Sequence, residues 1–191
     1  SDPLKTRVVR HSPSTGVGSP DVWGIYEPDT GSIQYICADP ATKKAALIDV
    51  VWNFDPKNYR FSTGSMDQVL DIVQENGLEV AWVLDTHPHA DHMMASAQLT
   101  ERTGAPNAIG ALVPKIAGIW ADLYNLPKAF DPERDFERLF EEGESFKVGD
   151  LDVNVMLSPG HTLGSITYVC GDAAFVHDTL MQPDVGTSRS D

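Results

Sequence analysis

The 191 residues are enough for one domain with a sizeable core and short for two, and 41% hydrophobic with 22% charged residues is ordinary for a globular protein. A net charge of −14, with Lys43-Lys44 the only adjacent pair of lysines or arginines, argues against a nucleic-acid partner, whose phosphates are met by clustered basic side chains. No apolar run of about 18 residues occurs and the first residues carry no apolar leader, so the expectation is a cytoplasmic protein without a membrane-spanning helix.

Residues 1–20, rich in Pro, Ser and Gly, read as an irregular lead-in with His11 as a solvated side chain, and residues 21–191 as one domain. Val22–Tyr26, Ser32–Ala38 and Ala45–Val50 read as strands. The turn residues Asp39-Pro40-Ala41-Thr42 join the last two into an antiparallel hairpin. Trp52 to Gly64 reads as a polar loop. Ser65 then opens a helix with Gln68 in capping-box spacing, an apolar stripe of Met66, Val69, Leu70 and Val73, and a stop at Asn76-Gly77. Leu78–Leu84 reads as a buried strand and Met93–Thr103 as a helix ended by Gly104. Ala108–Ala111 reads as a short strand, Val113–Tyr124 as a helix, and the charge-rich Asp131–Gly143 as a solvated loop. Phe146–Val148 and Leu151–Leu157 alternate about a Gly149-Asp150 turn. Ser165–Cys170 and Ala173–Val176 do the same about Gly171-Asp172. Cys37 and Cys170 are too few for a disulfide framework; in strand-like apolar runs they read as buried, reduced thiols.

The chemistry is concentrated in Asp85-Thr86-His87-Pro88-His89-Ala90-Asp91-His92. This stretch follows the apolar run Val80–Leu84 and holds three of the chain's six histidines. Imidazole and carboxylate are ligands that first-row transition metals take, and closely spaced ones on a strand-end loop can converge on one point. His161 follows the breaker Ser158-Pro159-Gly160 on a second such loop, and Asp178 closes a third strand. The candidate metal ligands are therefore His87, His89, Asp91, His92, His161 and Asp178, all at strand ends.

Thr86–His92, Pro159-Gly160-His161-Thr162 and Asp178-Thr179-Leu180 together resemble the metallo-β-lactamase superfamily, over about residues 20–191. The resemblance implies an α/β fold of the α+β type, an αββα sandwich with metal held between its sheets. It assigns His87, His89 and His161 to a first metal site, Asp91 and His92 to a second, and Asp178 to the carboxylate between them. Within the superfamily the sequence is most similar to the persulfide dioxygenases and the glyoxalase II thioesterases. Gly186-Thr187-Ser188-Arg189-Ser190-Asp191 resembles a Gly-x-x-Arg-Thr-Asp segment of the former. Two departures stand out. The family carries one more metal-site histidine beyond the bridging aspartate, which these residues stop short of, implying a sandwich truncated at its C-terminal side. His177 stands where relatives carry a small residue; on a regular strand it faces away from the metal, as a core or supporting histidine.

What the resemblance implies first is oxidation by O₂ of a glutathione-type persulfide to sulfite and thiol. Fe(II) would sit on His87, His161 and Asp178, a two-histidine, one-carboxylate set that leaves open positions, with His89, Asp91 and His92 orienting ligands and water around it. Asp91 is the candidate catalytic carboxylate. Arg189 is the candidate for the substrate's carboxylate, since its planar fork suits bidentate contact. A second reading is a glyoxalase II-type hydrolase, in which Zn²⁺ on the same ligands activates water toward a thioester carbonyl. A third is a metal-binding or sulfide-sensing module without turnover. In each the partner is a small molecule, and a homo-oligomer is compatible with all three.

Overall fold

The computed structural model describes residues 9–27, 32–50, 53–55, 60–62, 64–86, 90–110, 138–157, 166–175 and 187–189. The strands are β1 (Val9–Ser12), β2 (Asp21–Glu27), β3 (Ser32–Ala38), β4 (Lys44–Ile48), β5 (Asn53–Asp55), β6 (Arg60–Ser62), β7 (Glu79–Leu84) and β8 (Asn107–Gly110). They continue as β9 (Arg138–Phe140), β10 (Ser145–Val148), β11 (Leu151–Leu157), β12 (Ile166–Cys170), β13 (Ala173–Phe175) and β14 (Thr187–Arg189). The helices among the described residues are α1 (Gly64–Glu75) and α2 (Ala90–Thr103). None of them is long and apolar enough to cross a membrane.

A seven-stranded sheet runs β1-β2-β3-β4-β7-β8-β9, a five-stranded sheet runs β10-β11-β12-β13-β14, and β5-β6 form a small ribbon. In the large sheet β1 to β4 are antiparallel, whereas β4, β7, β8 and β9 are parallel. Parallel neighbours need a crossover, which α1 supplies between β4 and β7 and α2 between β7 and β8.

The period-2 alternation of the strands builds two cores on opposite faces of the large sheet. Ile33, Tyr35, Cys37, Ala46, Ile48 and Leu84 face the second sheet, where they meet Val148, Val153, Tyr168 and Phe175. Ile36, Ala38, Ala45, Leu47 and Val83 face the helices and meet Met66, Val69 and Val73 of α1 and Leu99 of α2. With both faces covered, Ala45–Ile48 of β4 read as an unbroken apolar run, as strands buried on two sides do. The layers are helix, sheet, sheet, in agreement with the expected sandwich architecture. Neither cysteine forms a disulfide and both are buried, also as expected.

Several sequence expectations are corrected. Val9–Ser12, assigned to the irregular lead-in, pairs with β2 from Val9↔Ile25 to Ser12↔Val22, and the His11 ring stacks on Trp23 at 4.4 Å. An edge strand needs only backbone pairing, so its polar sequence gives no alternation to read. The polar loop after Trp52 contains the β5–β6 ribbon. The charge-rich segment contains β9, whose Phe140 is buried while the Arg138 guanidinium lies over its ring at 4.8 Å. Helix α2 starts at Ala90, three residues before the expected Met93. Gln68 Oε1 is buried with no hydrogen-bond partner, so the reciprocal bond of a capping box is not made. The stops at Gly77 and Gly104 hold, with φ of 65° and 74°. The helix expected at 113–124 lies outside the described residues.

The two sheets are tied at one end through Asp39. Its carboxylate accepts from the Thr42 hydroxyl (2.8 Å), the Ala41 N–H (3.1 Å) and, across the sheets, the Asp150 N–H (2.8 Å). Gly149 permits the approach: its φ is 59°, and a Cβ there would stand 2.0 Å from Thr42 Oγ1 and 2.6 Å from Asp39 Oδ2. Burial of Asp39 pushes against ionisation, but the hydrogen bonds led by the Asp150 N–H outweigh it and hold the carboxyl below its ordinary 3.8. A lowered carboxylate pKa contributes stability that is present above 3.8 and is lost as pH falls through the folded value. Asp39→Asn is therefore expected to cost about 2 kcal/mol in urea unfolding at pH 7, with the gap to the parent closing below pH ~4. A gap independent of pH would mean that the Asp39 charge is not what ties the sheets.

Candidate metal centre

The parallel strands β4 and β7 end side by side, with Ile48 opposite Leu84. The carboxyl ends of parallel strands are where such sheets place ligands. Here β4 runs into Asp49 and β7 into Asp85-Thr86, all three buried. Asp49 has a φ of 55°, a left-handed conformation that aspartate tolerates better than most side chains. Its N–H donates to the Leu84 carbonyl (3.0 Å), and its carboxylate accepts from the Thr86 N–H (2.8 Å) and the Thr86 hydroxyl (2.6 Å).

The remaining backbone groups of Asp85 and Thr86 are bonded as well. The Asp85 N–H donates to the Ala108 carbonyl of β8 at 3.0 Å. The Asp85 carbonyl accepts from the Tyr168 hydroxyl of β12 at 2.9 Å, and the Thr86 carbonyl accepts from the Ile166 N–H at 2.8 Å. Thr86 precedes His87, and Ile166 directly follows residues 158–165, which carry His161. One hydrogen bond thus joins the ends of the two segments on which the expected ligands lie. β13 pairs with β12, Phe175 opposite Tyr168, and Asp178 follows Phe175 closely in sequence.

The Asp85 side chain is the unusual group. Its Oδ2 accepts from the Ser96 hydroxyl of α2, while the buried Oδ1 has no hydrogen-bond partner. Burial, then the neighbouring Asp49 charge, push its carboxyl well above the usual carboxylate range, with the Ser96 bond pulling the other way. Burial and the same two carboxylates raise the Tyr168 phenol, which keeps its proton and remains a donor.

His87, His89, His161, His177 and Asp178 lie outside the described residues. Asp91 and His92, expected on the strand-end loop, instead lie in the first turn of α2, one turn ahead of Ser96. Arg189 lies on β14 with its backbone opposite Ala173. Among the described residues no group of three or more His, Cys, Asp or Glu could hold a metal. The donor set that the sequence supplies next to Thr86 and Ile166 does fit one: imidazoles and carboxylates suit a first-row metal. The unpartnered Asp85 oxygen is of the kind that accepts the free N–H of a ligating imidazole. Sequence reasoning had not singled out Asp49, Ser96 and Tyr168. Asp49 carries a legible signal, a carboxylate closing an apolar strand just as Asp85 does; Ser96 and Tyr168 carry none.

Residues 34–190 match the family model described as "Metallo-beta-lactamase superfamily". The chain is 49% identical to the "Beta-lactamase hydrolase-like protein" of Xylella fastidiosa over 92% of its own length and 41% of that protein. It is 38% identical to "Glyoxylase B2" of Dictyostelium discoideum, over 90% of this chain and 59% of that one. To human "Persulfide dioxygenase ETHE1, mitochondrial" it is 28% identical, over 82% and 51%. The crystal structure of ETHE1 from Myxococcus xanthus superimposes with a TM-score of 0.57 at 27% identity, covering 88% of this chain and 56% of that one. The chain thus spans 41% to 59% of these curated relatives.

Asp49→Ala removes the acceptor of two buried Thr86 donors and is expected to cost about 3 kcal/mol or more in urea unfolding. Thr86→Ser keeps both donors and is expected to cost about 1 kcal/mol, the value of one buried methyl. Equal costs would show that the Asp49–Thr86 pair does not hold this turn.

Proposed function

The chain belongs to the metallo-beta-lactamase superfamily, and from that premise we propose that it is an iron-dependent enzyme that oxidises a glutathione-type persulfide with O₂. One O₂ and one water are consumed per persulfide; the outer sulfur leaves as sulfite and the inner one returns as the thiol. The observation that supports the reading is the Thr86–Ile166 hydrogen bond, which joins the residue preceding His87 to the residue that follows 158–165.

In this reading His87, His161 and Asp178 hold Fe(II), and His89, Asp91 and His92 orient those ligands and the water around them. Fe(II), when bound, would supply the redox chemistry that lets a persulfide react with O₂. Asp91 is the catalytic carboxylate, which takes up the proton of the persulfide. Arg189 holds a substrate carboxylate through its fork of N–H donors. Oxidation of a persulfide is supported by the name of the human relative and by the Gly186–Asp191 segment, whose central residues pair with β13. The substrate is a small molecule, and the site of action proposed for the protein is the cytoplasm.

The second reading, a glyoxalase II-type zinc hydrolase of a thioester, is favoured by the higher identity to the Dictyostelium relative. It would use the same ligands, with His89, Asp91 and His92 bound directly to zinc. A binding or sensing module without turnover is the third.

Elemental analysis of freshly purified protein, paired with O₂ uptake on adding glutathione persulfide, tests the proposal. The expected result is about one iron per chain and sulfite formation. About two zinc ions per chain with thioester hydrolysis would transfer the assignment to the hydrolase, and metal without turnover in either assay would favour the module. His87→Ala and His161→Ala are expected to abolish stoichiometric metal binding, and His11→Ala to leave it unchanged. His89→Ala separates the two enzymes. In the dioxygenase it leaves a site that still fills with iron at saturation while turnover drops about 10–100-fold; in the hydrolase it depletes the metal.

A further inference from the structure

We infer that Tyr168 is a positioning residue for the metal centre: its buried hydroxyl, donating to the Asp85 carbonyl, fastens the end of β7, which His87 follows in sequence, to β12, which His161 precedes. The inference rests on the proposed ligand set. Tyr168 is fully buried between the sheets, and its ring is fixed edge-on against Phe140 and Phe146, with centroids 6.3 Å and 6.0 Å away. A ring held in this way makes its hydroxyl a rigid strut. The 2.9 Å bond it makes ends on the Asp85 carbonyl, in the residue before Thr86.

Packing alone does not call for that hydroxyl. Phenylalanine would fill the same space, and a buried hydroxyl without a partner is costly. The hydroxyl therefore serves its acceptor, a carbonyl that has left the regular ladder where β7 ends. Ile166, on the same strand, bonds the next carbonyl, that of Thr86. Together the two bonds fasten β12, which belongs to the second sheet, to the end of β7, which belongs to the first. The segment bearing His161 enters β12 at Ile166, and the segment bearing His87 leaves β7 at Thr86. Loss of the Tyr168 bond leaves the Asp85 carbonyl unpaired and loosens the tie between β7 and β12, which weakens metal binding by the ligands proposed on either side of it.

The test is Co²⁺ titration of metal-free protein, read by visible absorption, for the parent, Tyr168→Phe and Val153→Ala. Val153 is buried in the same core but lies away from the junction, opposite Phe146 and Cys170. Tyr168→Phe is expected to bind Co²⁺ about 10–100-fold more weakly, with a shifted ligand-field spectrum. Val153→Ala is expected to lower the melting temperature at least as much while keeping parental affinity and spectrum. Parental behaviour of Tyr168→Phe, or an equal shift in Val153→Ala, would overturn the inference. No Co²⁺ uptake by the parent would overturn the ligand assignment itself, and this inference with it. Should Tyr168→Phe fail to fold, the Tyr168 hydroxyl proton of the metal-free parent decides. Slow exchange in its NMR signal is expected; exchange at the rate of a free phenol would overturn the strut.

Discussion

Every backbone polar group of Asp85 and Thr86 is bonded to another strand or strand end, and the proposed site depends on that constraint. β8 takes the Asp85 N–H, β12 supplies donors to both carbonyls, and Asp49 at the end of β4 takes the Thr86 N–H. Each such bond contributes only about 1 kcal/mol net, but leaving one unmade in a buried position costs about 1–3 kcal/mol. The conformation in which the chain enters the histidine stretch is therefore over-determined. A metal site gains affinity when its ligands are held before the metal arrives, because the ordering entropy is then borne by the fold. Two hydrophobic cores set the strands in place, and this small polar junction ties the end of β7 to β12.

The junction is also where the fold tolerates unfavourable electrostatics. Asp49 and Asp85 are both buried, Asp85 is pushed toward its protonated form, and one of its oxygens lacks a partner. Elsewhere the buried carboxylate is fully satisfied: Asp39 takes three hydrogen bonds and favours the charged form. Like charges gathered in a low-dielectric interior are costly unless a cation or donors offset them. Asp39 and Asp49 have both carboxylate oxygens engaged, whereas Asp85 keeps one buried oxygen without a hydrogen-bond partner. An overall charge of −14 favours a cation at long range.

Much of this was legible in the sequence because the central elements are buried on one or two faces. Alternation in β3 and β11, the apolar run of β4 and the Asn76-Gly77 stop each follow from a single physical rule. The dense histidine stretch pointed to the superfamily. What escaped had no such rule behind it. β1 is held by backbone pairing beneath mostly polar side chains, and β9 is three residues long inside a charge-rich stretch. The early start of α2 moves Asp91 and His92 from loop to helix, because helix N-termini are set by local satisfaction of N–H groups rather than by apolar periodicity. The roles of Ser96 and Tyr168 depend on contacts across 11 and 83 positions of chain, which no local pattern encodes.

X-ray absorption at the metal edge of the loaded protein is the most direct test that two loops converge on one ion. Scattering from imidazole rings and a carboxylate oxygen is expected, with one ring's contribution lost in His161→Ala and one in His87→Ala. A spectrum of oxygen ligands alone, or one unchanged by removal of either histidine, would contradict a metal centre at the junction of β7 and β12.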